Sequence, residues 1–404
     1  MTPDDVDAGH TVSGDAISDR VYFDHAATTP LRPEALEAMM PVLTAEFANP
    51  SGAHAESRRA RLALDDARDQ IAALLGVGPG DVVLTSGGTE ADDLAIYGGW
   101  EAVAEGRADT APPAVVCSAM EHHSVLRACQ NLASFRGAEL REVRSGPDGR
   151  IDLDALAEAC RDDVGLVSVM AVNNEIGTIQ PLDEVAHIVA EHSPDAVFHT
   201  DAVQAVPWLD VATFTIPAAL VSMSAHKFGG PKGTGALVVR SGTSVRARIA
   251  GGGQERGRRS GTPNVAGAVG AAAALAASVA GRNTDASRVT NLRDRLADGL
   301  LATIPDAVET GERGDRVAGI LHLRFANIEA EAMVVLLDQV GIAASAGAAC
   351  SSGAVEPSHV LAAMGLDRCD SSSGVRFSLG VTTTDHDVAC ALARIPDVVT
   401  RLRN

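Results

Sequence analysis

A lysine stands in an unusual place at Ser224-Ala225-His226-Lys227-Phe228-Gly229-Gly230-Pro231. The apolar run 218–223 leads into it, and a second run, 236–239, leads away. Such runs read as buried strands, so Lys227 sits at a strand end beside a histidine and a glycine-rich turn. Lysine is rarely buried without a partner. Burial or a nearby cation lowers its pKa and makes the amine a usable nucleophile or base. Taken alone, such a segment is more often a surface loop. Other chemistry-bearing residues recur at comparable places, however: Gly88 and Thr89, His122, Asn174, Asp201 and Gln204.

The elements that position them alternate along the chain. Apolar runs at 81–85, 114–117, 140–143, 164–172, 196–200 and 218–223 read as strands, and the stretches between them carry helical patterns. That alternation predicts an α/β fold with a mostly parallel sheet flanked by helices in a large domain, and a smaller α+β domain. Ligands of such sheets bind beyond the carboxyl ends of the strands, where the polar residues above fall. At Ser86-Gly87-Gly88-Thr89 a strand runs into a helix start, and bare N–H groups there suit a phosphate. A strand-end aspartate can hold a ring nitrogen protonated, a histidine can stack on the ring, and a lysine can condense with an aldehyde. Pyridoxal phosphate needs that set of parts. Each residue also has a structural reading: Asp201 or Thr89 as a helix cap, His122 as a surface residue. Their order and placement together favour the cofactor.

The 404 residues are enough for about two domains. Residues 1–20 are acidic and read as an N-terminal extension without the features of a secretory signal. Residues 21–281 read as the large domain, its first residues packing with the small one. Residues 282–404 read as the small domain. Apolar content of 46% and charged content of 21% suit a globular chain. A net charge of −20 argues against direct nucleic-acid binding. The uncharged stretch 262–281 is long enough to span a membrane, but it is mostly alanine and glycine. It is expected as a buried helix with Thr262 as N-cap and Pro263 at the first position, followed by a separate amphipathic helix over 282–303. The six cysteines show no metal-site spacing, so no metal site and a reducing cytoplasmic setting are expected.

From about Val21 to the C-terminus the chain resembles the cysteine desulfurases, fold-type I pyridoxal-phosphate enzymes of the class V aminotransferase group. The motifs are Tyr22-Phe23-Asp24-His25-Ala26-Ala27-Thr28-Thr29, Thr85-Ser86-Gly87-Gly88-Thr89-Glu90, Glu121-His122, Val172-Asn173-Asn174-Glu175-Ile176-Gly177, His199-Thr200-Asp201-Ala202-Val203-Gln204, Ser224-Ala225-His226-Lys227, Gly251-Gly252-Gly253-Gln254-Glu255-Arg256-Gly257, Arg259-Ser260-Gly261-Thr262 and Arg376-Phe377-Ser378-Leu379-Gly380. The resemblance implies that Lys227 anchors the cofactor covalently and then serves as base and acid at the substrate Cα. Asp201 would pair with the ring nitrogen, Gln204 bond the ring hydroxyl and His122 stack on the ring. Gly88, Thr89, Ser224 and His226 would hold the phosphate, with Thr262 reaching the phosphate of a neighbouring subunit in a homodimer. Asn174 and Arg376 would bind the carboxylate of L-cysteine. Gly88 stands where alanine is common and Asp93 where asparagine is frequent, and neither change removes a catalytic group.

Cys350 separates this reading from a plain aminotransferase. It lies in Ser345-Ala346-Gly347-Ala348-Ala349-Cys350-Ser351-Ser352-Gly353, a small-residue segment expected to be mobile. A thiolate there would take sulfur from cysteine as a persulfide and release alanine. The acceptor would be an iron–sulfur scaffold, whose cluster Cys350 could contact, or a tRNA-thiolation enzyme. The competing readings are a selenocysteine lyase or other C–S lyase, and a non-catalytic carrier on the same fold.

Overall fold

The computed structural model describes residues 20–107, 111–347 and 357–404. In chain order the strands are β1 (Val21–Tyr22), β2 (Val82–Thr85), β3 (Ala114–Ser118), β4 (Leu140–Val143), β5 (Val164–Ser168), β6 (Val197–Asp201), β7 (Leu220–Ser224), β8 (Gly235–Val239), β9 (Ala307–Glu309), β10 (Ile320–Phe325), β11 (Ile342–Ala343) and β12 (Gly374–Ser378). A seven-stranded sheet runs β2-β8-β7-β6-β5-β3-β4. Only β8 opposes its neighbours; the other pairs are parallel. β3, β5, β7 and β8 are buried at every position. Their unbroken runs of Val, Leu and small residues suit a sheet covered on both faces.

A second core gathers around the antiparallel sheet β12-β10-β9 and the helix Asp385–Arg403. Val21 and Phe23 from the start of the chain belong to it, and β1 pairs in parallel with β11. Asn327 and Asp306 take left-handed φ at turns in this part, a conformation that asparagine and aspartate adopt more readily than most residues.

The expected pair of helices over 262–303 is one continuous helix, Val265–Thr303. Its cap is Asn264, whose side chain accepts the Gly267 N–H at 2.9 Å, so Thr262 and Pro263 precede the helix. Asn caps as well as Thr does. Gly281 does not break the helix, since one interior glycine costs only about 1 kcal/mol. The first half of the helix packs in the core under the large sheet and the second half in the core around β10. Length and composition alone would allow this helix to cross a membrane, but more than half of its apolar window is buried within the protein.

Several polar residues are buried with the sheets. On β10, His322 is fully buried, bonded through Nδ1 to Thr310 Oγ1 at 3.0 Å. Burial, together with the positive charges of Arg316, Arg376 and Arg324, lowers its pKa from 6.5 to about 3. Between those values the unfolded chain binds a proton that the folded chain refuses. The contribution of His322 is therefore complete above pH 6.5 and is lost as pH falls. His322→Asn should lose about 3 kcal/mol less stability than the parent between pH 7 and pH 4. Urea unfolding at the two pH values measures this, and equal losses in both proteins would refute it.

Candidate functional site

β6 ends in Asp201 and β7 ends in Ser224, followed by the turn Ala225–Lys227. Because side chains alternate across a strand, His199 and Asp201 share one face, as do Ser222 and Ser224. Parallel register brings these strand ends together. A glycine turn returns the chain to β8, so Lys227 is presented at the rim and not inside the sheet.

The structure gathers Gly88, Thr89, His122, Asn174, Asp201, Gln204, Ser224, His226, Lys227 and Arg376 around one cavity of about 290 Å³. Lys227 Nζ donates to the carbonyls of Ala26 at 2.6 Å and Ala27 at 2.9 Å. Gln204 Nε2 donates to the same Ala26 carbonyl at 2.8 Å. Asp201 is buried, and its Oδ1 accepts the Val203 N–H at 2.8 Å. Burial raises its pKa to about 6, against the lowering influence of the Val203 N–H and Lys227.

Gly88 opens a helical run, with Gly87 at φ +154° before it. A Cβ on Gly88 would stand 3.0 Å from Val203 Cγ2 and 3.4 Å from Ser224 Cβ, so the backbone there is tightly enclosed. His226 bonds Thr28 Oγ1 through Nδ1 at 3.1 Å, and its carbonyl accepts from Thr29. Burial, then Lys227 and Lys232, lowers the pKa of His226 to about 4.

His122 caps the helix His123–Arg136, accepting the Ser124 N–H at Nδ1. Burial first, then Lys227, lowers its pKa to about 4, so the ring is neutral. Arg376 on β12 crosses from the smaller core. It donates to the Asn174 carbonyl and to Asp24 Oδ1, both at 2.9 Å, and its Nε is buried with no partner among the described residues.

Thr262 is not in this cavity. It lines a separate one of about 110 Å³ with Ser86, Glu255, Arg259 and Asn264. Cys350 lies outside the described residues. Sequence reasoning missed a polar group in the wall of the cavity. Asp92 is almost fully buried, and Ser124 Oγ lies 2.6 Å from its Oδ2 and 2.7 Å from His122 Nδ1. His199 is fully buried between Ser168 and Ser222, at 2.8 and 3.0 Å. The available signals were Asp92 beside the buried Ala91, Leu94 and Ala95, and a histidine inside an apolar strand.

A mostly parallel sheet with a lysine just past one strand end, an aspartate at the end of the next strand and an arginine arriving from a second core defines an α/β fold with a polar site at the carboxyl edge of its sheet. The chain belongs to the aminotransferase class-V family, whose model matches residues 21–390. It is 42% identical to an IscS-like cysteine desulfurase of Mycobacterium tuberculosis, over 95% of this chain and 97% of that protein. It is 38% identical to the cysteine desulfurase NifS of Azotobacter vinelandii, over 95% and 94%. A solved NifS-like protein superposes with a TM-score of 0.87 at 34% identity, over 95% of this chain and all of that one. Enzymes of this family use pyridoxal phosphate.

The wall around Thr262 depends on Glu255. Its carboxylate takes a two-pronged bond from Arg68, both contacts 2.7 Å, and accepts the Leu84 N–H at 3.0 Å. Glu255 and Arg256 both hold left-handed φ, at 50° and 58°. Such backbone persists only where neighbouring contacts enforce it. Removing one partner of a buried pair strands the other. Glu255→Ala should therefore cost about 3 kcal/mol in chemical denaturation, and adding Arg68→Met should recover most of the loss. A loss below about 1 kcal/mol would show that the pair does not hold this loop.

Proposed function

We propose that this chain is a cysteine desulfurase that uses pyridoxal phosphate to remove sulfur from L-cysteine, giving L-alanine and a persulfide on Cys350. The observation that carries this reading is the convergence of Lys227, Asp201, His122, the Gly88–Thr89 turn and Arg376 on one cavity, in a chain similar to desulfurases over almost its whole length. The residues fit the cofactor. Gly88 and Thr89 open a helical run whose N–H groups suit a phosphate, with Ser224 and His226 beside them. Among the described residues only Oδ1 of Asp201 is engaged by a hydrogen bond, which leaves Oδ2 for a ring N–H.

When bound, pyridoxal phosphate supplies an electron sink next to the substrate Cα. Lys227 would anchor it and afterwards move the proton at the substrate Cα. The Ala26 and Ala27 carbonyls keep the lysine amine in place. Gln204 would bond the ring hydroxyl and His122 would cover the ring. Arg376 and Asn174 take the substrate carboxylate, the guanidinium already oriented by Asp24 and the Asn174 carbonyl. The Cys350 thiolate attacks the substrate sulfur. The Cβ–S bond breaks, an S–S bond forms at Cys350, and the electron pair left on the substrate carbon takes a proton to give alanine. The persulfide then passes to an acceptor for iron–sulfur cluster assembly or tRNA thiolation.

A homodimer is part of the proposal, with Thr262 at the phosphate of the neighbouring subunit. Its support is an exposed stripe on the helix Pro33–Thr44, where Leu36, Met40 and Leu43 follow helical spacing and Phe47 continues the row. The free cysteines among the described residues support a reducing cytoplasmic setting.

Purified enzyme should convert cysteine to alanine, with one sulfur atom found on Cys350 by peptide mass spectrometry. Cys350→Ser should abolish sulfur transfer, and Lys227→Ala should abolish the visible absorption band. Asp201→Asn should slow alanine production by about a hundredfold. Brisk selenocysteine turnover in Cys350→Ser, with negligible cysteine turnover in the parent, would replace this reading with a selenocysteine lyase. Introducing Leu43→Asp with Phe47→Asp should convert a dimer to a monomer in light scattering. A parent that is already monomeric would refute the dimer.

A further inference from the structure

The three atoms at the Asp92–Ser124–His122 corner carry a proton count that only one arrangement satisfies. Ser124 Oγ lies 2.6 Å from Asp92 Oδ2 and 2.7 Å from His122 Nδ1. Both distances require a proton between the atoms. The hydroxyl owns one proton and can donate in one direction only. If it donated to an ionised Asp92, the imidazole would have to donate from Nδ1. That nitrogen already receives the Ser124 backbone N–H at 3.2 Å as the cap of its helix. Two N–H groups would then point at each other. If Nδ1 were bare while Ser124 donated to Asp92, two lone pairs would face at 2.7 Å. The remaining arrangement has Asp92 donating to Ser124 and Ser124 donating to Nδ1.

We propose that Asp92 works as a neutral carboxylic acid which, through Ser124, fixes His122 as its Nε2–H tautomer. Asp92 is a positioning residue. His122 is thereby a hydrogen-bond donor at Nε2, and the single Nδ1 lone pair takes the Ser124 hydroxyl at 2.7 Å with the Ser124 N–H sharing it at 3.2 Å. A neutral ring in that state has no bare nitrogen left for taking a proton from a substrate thiol.

Burial and charge around Asp92 favour the neutral acid. Asp92 is 1% exposed, and its Oδ1 has no hydrogen-bond partner among the described residues. From β6 it faces Asp201 and His199, from β7 Ser222, from the facing helix Ser124 and His122, and on its own helix Asp93. His199 Nε2 lies 3.7 Å from Asp92 Oδ1 but supplies no countercharge, because burial lowers its pKa to about 3. Burial and the neighbouring Asp201 raise the pKa of Asp92 well above its ordinary value, against the lowering influence of the Ser124 and Ser222 hydroxyls. An ionised Asp92 would place a second negative charge behind Asp201 with no cation to offset it.

The involvement of His122 in desulfuration rests on the function proposed above. Its tautomer does not, so the two can fail separately. Nitrogen-15 NMR of the imidazoles in the full-length chain, with His122 assigned by loss of its signal in His122→Gln, reads the tautomer directly. The expected result at neutral pH is a bare Nδ1 and a protonated Nε2, in the parent and in Asp92→Asn, since an amide N–H can replace the acid as donor. A protonated Nδ1 in the parent that moves to Nε2 in Asp92→Asn would overturn the proposal, because Asp92 would then be ionised. Infrared difference spectroscopy of parent against Asp92→Asn should show a protonated carboxyl band at neutral pH, and a carboxylate band in its place overturns it as well. In the holoenzyme, Asp92→Ala should lower kcat about tenfold with little change in KM. Asp92→Asn should recover most of that loss, and an Asn variant as impaired as the Ala variant counts against the neutral donor.

Discussion

Everything at this site depends on which buried carboxyl group is allowed a charge. Asp201, Asp92 and Glu121 lie in one buried neighbourhood: Asp201 raises the proton affinity of both others, and Asp92 raises that of Glu121. Three negative charges there would repel strongly in a region of low dielectric. The fold gives support to one. Asp201 has the Val203 N–H on Oδ1 and the attraction of Lys227, which hold its pKa to about 6. Glu121 accepts one backbone N–H, from Met170, while its Oε2 has no partner among the described residues, and burial raises its pKa well above the ordinary range. The nearby His122, His199 and His226 are all kept neutral by burial, so Lys227 has no permanent cationic competitor among them.

The second dependence is topological. Ala26 and Ala27, whose carbonyls hold Lys227 and Gln204, come from the start of the described chain. Ser378 on β12 fixes that segment: its hydroxyl accepts the Ala26 N–H at 2.9 Å, and its backbone exchanges bonds with Phe23 and His25. Two residues earlier on the same strand, and so on the same face, stands Arg376. One strand therefore places both the guanidinium for the substrate and the carbonyls that aim the lysine. The lysine cannot be positioned by the large sheet alone.

Much of this was legible because the residues sit where strand periodicity and glycine turns must put them. Lys227, Asp201 and Gln204 follow apolar runs, and a parallel sheet has one end at which such residues can meet. What stayed hidden was set by packing between elements far apart in sequence. The Arg376–Asp24 pair joins residues 352 positions apart, and no local pattern announces it. The helix break expected at 281–282 is absent because nothing local breaks the helix there, and the change of core along that helix is a tertiary event. Asp92 looked like one more charge on a helix. Only its position against β6 and β7 turns it into a buried acid.

Gly88 shows how sequence and packing decide a site together. The resemblance marks it as a departure, glycine where alanine is common. The structure supplies a reason: a Cβ at that position would press on Val203 at 3.0 Å and approach Ser224 at 3.4 Å. Val203 is also the residue whose N–H holds Asp201. A methyl group at position 88 would need the Val203 side chain to give by a few tenths of an ångström. A β-branched residue at 203 and glycine at 88 are thus matched choices. The valine is stiff at χ1 and cannot swing aside cheaply, so the helix opening must yield the space. The backbone at Gly88 and the side chain of Val203 are thus fitted to each other, with Asp201 held by the N–H of that same valine.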